Sequence, residues 1–118
     1  MRICVPIVDN LGLLSYVAPH FGSAPAYLVV DTATLAFHPI PNRPHERDRC
    51  DPYRALEGER IDAFIVIGIG ARALAEIARR RLWVYGSLGG RVADVLADYL
   101  DGSLKLLRDA TDGPTVGH

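Results

Sequence analysis

Apolar runs separated by polar connections predict an α/β chain with five strands. The runs are four to seven residues long, the usual length of a strand. Thr32-Ala33-Thr34 predicts a hairpin turn between the second and third runs. The fourth run is almost continuously apolar, which is typical of a central parallel strand. The five predicted strands span residues 3–8, 26–31, 35–40, 61–67 and 82–85.

Three helices are predicted to connect or follow the later strands. Asp51 and Pro52 supply an N-cap and a first-turn proline for a short helix that ends near Gly58. A second helix covers residues 71–81, and its apolar positions recur at helical spacing. Gly102 fits the C′ position of the third helix. The inner stripe of that helix consists of Val92, Val95, Leu96 and Tyr99.

This order of elements predicts a mixed sheet with the strand order 3-2-1-4-5. Strands 1 to 3 form a meander in which strand 2 is antiparallel, and crossover helices make strands 1, 4 and 5 parallel. The connections after strands 1, 3, 4 and 5 then meet at one edge, where open α/β sheets bind ligands. The groups expected there are His20, His45, Cys50, the turn Gly68-Ile69-Gly70 and the turn of residues 86–90.

The connection of residues 9–22 is the candidate binding loop at this edge. Loops of this length are usually functional or disordered, and its leucine, tyrosine, valine and phenylalanine residues predict that it packs. His20 stands between Pro19 and the pair Phe21-Gly22. The loop is therefore expected to present an imidazole beside a flexible glycine.

Two arginines lie where a cation is unfavourable. Arg72 and Arg91 fall in the first turns of the second and third helices, at the positive end of the helix dipole. Residues that break a local rule often serve a function, and with the helix amides they would receive an anionic ligand. The alternative is that they pair with nearby carboxylates.

Three residues are candidate ligands for a soft metal or a cluster: His20, His45 and Cys50. Their spacing is not that of a zinc finger, which needs a second pair of ligands. Three ligands from two loops suit a cluster that arrives preassembled. The alternative is that they are solvated loop residues.

Three enzymatic or cofactor chemistries are disfavoured. Residues 68–73 match the dinucleotide pattern G-x-G-x-x-G/A, yet no carboxylate follows about 20 positions further on. Asp9 is expected at the opposite edge from Asp31 and Asp62, which splits any two-metal nuclease centre. Ser87 has no evident histidine–carboxylate partner. The sequence predicts a protein that is not an enzyme.

Length, charge and hydropathy limit the number of domains, the kinds of partner and the cellular location that we expect. The 118 residues predict one domain over residues 1–107, followed by a flexible tail of residues 108–118. A net charge of −1 provides no field for nucleic acid. No apolar run reaches the ~20 residues of a membrane span, and no signal-peptide pattern is present. These features favour a cytoplasmic protein.

Four segments together resemble the dinitrogenase iron–molybdenum cofactor biosynthesis family, which includes NifX, NafY and the C-terminal part of NifB. They are Val5-Pro6-Ile7-Val8-Asp9, Pro19-His20-Phe21-Gly22-Ser23-Ala24, residues 68–74 and Val84-Tyr85. The resemblance covers residues 2 to 105. It implies a ribonuclease H-like three-layer α/β/α fold without nuclease activity, and His20 matches a family motif. The charged residues 43–47 depart from many small relatives.

The resemblance implies binding, carriage or storage of iron–molybdenum cofactor or its iron–sulfur precursor, in contact with cluster-assembly or nitrogenase proteins. His20, His45 and Cys50 are the predicted metal ligands. The alternative is a regulatory domain that binds a small anion or a protein partner at the same edge, and the sequence leaves the oligomeric state open. The predicted cofactor-binding residues are His20, Phe21, Gly22, Gly68, Gly70, Arg72, Gly89, Gly90 and Arg91.

Overall fold

The computed structural model describes residues 1–42, 56 and 58–108, which form a six-stranded mixed sheet with helices on both faces. The strands are β1 (Arg2–Ile7), β2 (Ala26–Asp31), β3 (Phe37–Pro41), β4 (Ala63–Val66), β5 (Trp83–Gly86) and β6 (Lys105–Arg108). The helices are α1 (Ala71–Arg79) and α2 (Val92–Leu100), with a 3-10 turn at Gly12–Leu14.

The strand order is β3-β2-β1-β4-β5-β6. β2 is antiparallel to both β1 and β3, whereas β1, β4 and β5 are parallel. The predicted order of the first five strands and the antiparallel β2 are therefore confirmed. The likeness to ribonuclease H stays a prediction.

The predicted number of strands was wrong, because β6 pairs antiparallel with β5 as a sixth strand. Only Leu106 and Leu107 are apolar in this short edge strand, and a basic residue flanks each side. Two apolar residues give no alternation from which a strand can be predicted. Its pairing with β5 is a tertiary effect.

Alternate side chains of the central strands pack into two separate hydrophobic cores, one on each face of the sheet. Ile3, Val5 and Ile7 of β1 pack on the same side as α2, whereas Cys4 packs on the side of α1. β4 divides its residues in the same way. Burial on both faces explains why these strands are apolar throughout, and it produces three layers.

Both described helices end in a Schellman motif. In α2 the residue after the C-cap is Gly102, with φ of +81°, as predicted. In α1 the corresponding residue is Arg81, with φ of +58°. Its N–H donates to the Ala78 carbonyl at 2.9 Å. α1 therefore ends at Arg79, two residues before its predicted end.

Several predictions fall largely outside the described residues. Of the helix predicted after Asp51, Leu56 is described; it is helical and buried on the α1 side. The boundary predicted at residue 107 stays a prediction, although β6 extends to Arg108. No helix in the described part of the chain is long and apolar enough to cross a bilayer.

Candidate functional site

His20 is held beside the turn that follows β4. It forms a parallel bridge with Gly68, and the Phe21 N–H donates to the Gly68 carbonyl at 3.0 Å. A Cβ atom on Gly68 would lie 2.9 Å from the Pro19 carbonyl oxygen. A glycine is thus required at position 68 for this close approach. The His20 side chain is exposed at the end of the parallel strands.

Phe21 anchors this segment in the core and does not face the solvent. Its ring centroid lies 5.2 Å from that of Tyr27 and 5.4 Å from that of Phe64. The Tyr27 hydroxyl donates to the Phe21 carbonyl at 2.8 Å inside the fold. Phe21 was predicted to bind the cofactor, but its side chain is fully buried and instead fixes the segment next to His20 in the core. Gly22 is half-buried, and a Cβ there would meet no atom within 4 Å.

The turn that follows β5 joins the same edge. The Ser87 N–H donates to the Val66 carbonyl at 2.8 Å, and the Val17 N–H donates to the Gly90 carbonyl at 2.9 Å. Gly89 and Gly90 have φ of +102° and +112°, values that side chains rarely tolerate. We call residues 15–22, the first glycine turn (residues 67–70) and the second glycine turn (residues 86–91) together the rim.

Arg91 is built into the rim by three contacts. Its guanidinium donates to the Leu14 carbonyl at 2.8 Å and stacks 4.4 Å from the centre of the Tyr16 ring. Its backbone N–H donates to the Asp94 carboxylate at 3.1 Å. Among the described residues the Arg91 guanidinium does not make the alternative pairing with a carboxylate side chain; it ties the 3-10 turn to the start of α2.

The start of α1 is open by contrast. Its N-cap is Gly70, which offers no side-chain cap, and its first turn contains no acidic residue. The first intrahelical bond runs from the Leu74 N–H to the Gly70 carbonyl at 3.0 Å. Arg72 is exposed, and in the described part of the chain it has no hydrogen-bond or ion-pair partner. A positive helix end and a free guanidinium thus lie in one exposed turn.

The predicted metal ligands are only partly described. His45 and Cys50 lie outside the described residues. Within the described ranges no three histidine, cysteine or acidic side chains converge as a metal site. Cys4 is unsuited to ligation, because burial raises the pKa of its thiol far above the usual range. The second imidazole of the sheet, His38, pairs with Glu59 at 3.0 Å on the exposed edge strand β3.

These residues fit a preassembled cluster to which the described part of the chain contributes one ligand, His20. The exposed His20 offers a ring nitrogen, and a Cβ on Gly22 or Gly70 would meet no atom within 4 Å, so the surface at these two glycines is open. The uncapped start of α1 favours a negatively charged group. The described residues alone supply no full shell of side chains for a single ion.

Sequence reasoning missed Ser15, Tyr16 and Leu88. Ser15 is fully buried, and its hydroxyl accepts a hydrogen bond from the Leu11 N–H at 2.8 Å. Tyr16 supports the Arg91 guanidinium, and Leu88 is fully exposed in the second glycine turn. A leucine in a glycine-rich turn was the one visible signal, whereas the contacts of Ser15 and Tyr16 exist only in the folded loop.

A separate cleft lies away from the rim, at the other end of α2. It encloses about 340 Å³ and has mainly apolar and aromatic walls. Its lining residues are Tyr85, Tyr99, Leu100, Gly102 and Leu104. None of the predicted site residues belongs to it.

The sequence of the chain matches one known protein family over most of its length. The sequence profile described as "Dinitrogenase iron-molybdenum cofactor" matches residues 1–102. The chain belongs to this family. The predicted resemblance is confirmed, and membership links the chain to a family of iron–molybdenum cofactor biosynthesis and nitrogen fixation.

Solved structures agree with the fold of this dinitrogenase cofactor family member. A candidate NifB protein from Thermotoga is 21% identical with a TM-score of 0.77, covering 99% of this chain and 97% of its own. The apo form of the orange protein from Desulfovibrio gigas is 23% identical with a TM-score of 0.76, covering 98% and 96%.

A candidate dinitrogenase from Methanocaldococcus jannaschii is 15% identical with a TM-score of 0.68, covering 92% of this chain and 96% of its own. At these identities the likeness establishes the fold alone. No curated protein sequence matches the chain.

Proposed function

We propose that the rim binds a preassembled metallocluster, the iron–molybdenum cofactor or its iron–sulfur precursor, for carriage or storage and without catalysing a reaction. One observation carries the proposal: the bridge between His20 and Gly68 fixes an exposed imidazole beside an uncapped helix start. Family membership supports the choice of cluster. Cluster-assembly or nitrogenase proteins would supply and receive this cargo in the cytoplasm.

In this proposal His20 is the ligand, and His45 or Cys50 adds a second one. The open amides of α1 and the Arg72 guanidinium offset the negative charge of the cluster. Gly22 and Gly70 leave room for close approach to the backbone, and Gly68 holds the His20 segment in place. The second glycine turn, with Gly89, Gly90 and Arg91, forms the opposite wall of the site.

Anaerobic loading tests the proposal. The protein is mixed with isolated iron–molybdenum cofactor or an iron–sulfur precursor, desalted, and assayed for retained chromophore and metal. Wild type should retain the cluster, and His20→Ala should lose at least about 90% of it, because removal of a ligand costs about tenfold or more in affinity. His38→Ala is the matched control, since it also removes an exposed imidazole but lies on β3. Absence of chromophore on wild type, or equal retention by His20→Ala, would contradict the proposal.

The second candidate function is the binding of a small anion or of a protein partner at the same edge. The open start of α1 with Arg72 favours it, because such helix ends bind phosphate and carboxylate groups. Calorimetry with inorganic phosphate and with nucleotides separates the two functions. Heat of binding with either, in a protein that retains no cluster, would favour the anion.

A further inference from the structure

The two described helices carry opposite charges. Residues 71–81, which form α1 and its C-terminal turn, contain four arginines and one glutamate, so that their charge is +3. Residues 92–101, which form α2 and its C-cap, contain three aspartates and no basic residue, so that their charge is −3. Because the whole chain carries −1, all other residues together also carry only −1.

The arginines of α1 lie on its outer face. Ile77 is buried against the sheet, whereas Arg72 and Arg79 are exposed. These two arginines are seven residues apart, which is about two helical turns, and therefore project along one line. Glu76 lies between them and accepts a hydrogen bond from the Arg79 guanidinium at 2.8 Å. We call Arg72, Arg79 and Arg80 the basic row.

The outer face of α2 repeats this arrangement with the opposite sign. Val95 and Leu96 are buried, whereas Asp94 and Asp101 are exposed and again stand seven residues apart. Asp98 lies between them, and its carboxylate has no partner among the described residues. We call Asp94, Asp98 and Asp101 the acidic row.

The two rows match each other but cannot meet within one chain. α1 packs on one hydrophobic core and α2 on the other, so the rows lie on opposite faces of the sheet. A two-fold contact would place either row against itself, and like charges opposite each other are unfavourable. A contact between the basic row of one copy and the acidic row of another joins equal and opposite charges at the same spacing.

We propose that copies of this chain stack head to tail, with the basic row of one copy against the acidic row of the next. The guanidinium and carboxylate groups of the two rows form charge-assisted hydrogen bonds. The contact joins two different surfaces, so each added copy still offers a free row and the stack can grow. One helix face buries less area than a standard interface, which makes the association weak and reversible. It does not depend on the proposed cluster binding.

Sedimentation velocity of the full chain at two salt concentrations tests the proposal. At about 0.01 M salt charges act over about 30 Å, and wild type should form species above 12.9 kDa whose mass increases with protein concentration. At about 1 M salt this distance is about 3 Å, and the protein should be monomeric. This comparison needs no variant.

Charge reversal in either row should break the stack. Arg79→Glu and Asp98→Arg should each weaken association at least about tenfold, because like charges then face each other. An equimolar mixture of the two variants should associate again, since the first keeps the acidic row and the second keeps the basic row. Lys105→Glu is the matched control, because it changes the net charge as Arg79→Glu does but lies on β6. It should associate within about twofold of wild type.

Four outcomes would overturn the inference. They are a wild type that is monomeric at low salt, association that is equal at both salt concentrations, undiminished association of Arg79→Glu, and a mixture of the two variants that stays monomeric. A monomeric wild type that binds poly-L-glutamate instead would assign the basic row to a foreign acidic protein.

Discussion

The first and second glycine turns follow the neighbouring parallel strands β4 and β5, and each leads into one of the two described helices. The two helix starts differ in how their backbone N–H groups are satisfied. The second turn is closed by protein groups: Asp94 accepts the Arg91 N–H, and the Arg91 side chain is bonded to Leu14. The first turn has no side-chain cap and no acidic residue behind it. Its Gly68 faces an exposed histidine.

The difference divides one sheet edge into a side that is closed by the chain itself and a side that is left open. A helix start that is satisfied by its own chain contributes stability, about 1 kcal/mol for a good cap. A helix start that is left open contributes a positive potential to whatever approaches it. The second turn is therefore closed by groups of its own chain, and the first remains open. Substitutions in the two turns test this division.

The largest effect is expected from Gly68→Ala. The new Cβ would lie 2.9 Å from the Pro19 carbonyl oxygen, and the backbone has to shift. We expect a loss of about 2 kcal/mol in the free energy of unfolding, as for other overpacked sites, together with loss of cluster retention. Urea denaturation measures the first quantity. Gly22→Ala is the control, because its Cβ meets nothing within 4 Å. Equal stability of the two variants would refute the close approach at Gly68.

Substitution of Arg91 should mainly lower stability, whereas substitution of Arg72 should mainly weaken binding. Arg91→Ala removes a hydrogen bond to Leu14 and a cation–π contact to Tyr16, and should cost about 1 kcal/mol or somewhat more. Arg72→Ala removes an exposed side chain and should change stability by less than about 0.5 kcal/mol, while it weakens cluster or anion binding. Thermal denaturation and anaerobic loading give the two readouts. The reverse pattern would contradict the division between the turns.

Asp94→Ala uncaps α2 and makes the second turn resemble the first. The Arg91 N–H then loses its carboxylate partner, and the free energy of unfolding should fall by about 1 kcal/mol. Asp98→Ala is a suitable control, because Asp98 is exposed on the same helix but beyond its first turn. If both variants are equally stable, the carboxylate of Asp94 does not cap the helix.

The smallest change in stability is expected from Gly70→Asp, which closes the first turn. Gly70 has φ of −72° and free space around a Cβ, so the aspartate fits and caps α1. Stability should rise by only a few tenths of a kcal/mol. Cluster retention should nevertheless fall several-fold, because a carboxylate now occupies the positive helix end. Unchanged retention would show that the open start of α1 is not used.

Local sequence patterns predicted most of the fold and the location of the rim. The apolar runs of β1, β4 and β5, and the short turn after β2, fix the strand order because buried strands and hairpins have strong local signals. β6 has no such signal, since it consists of two leucines between basic residues. The meeting of His20 with the first glycine turn followed from topology, but the ladder contact that holds it depends on the absence of a Cβ at Gly68.

The role of Arg91 required the folded structure. From sequence it was a cation at an unfavourable helix end, and a role toward an anionic ligand was predicted. Its partners, the Leu14 carbonyl and the Tyr16 ring, lie in the loop after β1, far away along the chain. No local pattern reports such a contact. The same holds for Phe21, whose burial against Tyr27 makes it an anchor.

The bridge between His20 and Gly68 has a consequence for how the protein matures. Its two halves come from distant parts of the polypeptide, and they meet only after β4 has joined β1 in the finished sheet. A chain in which β4 is not yet paired has His20 but lacks the backbone contact with Gly68 that holds it. Under the proposed function, the capacity to hold a cluster therefore requires that β4 is paired with β1.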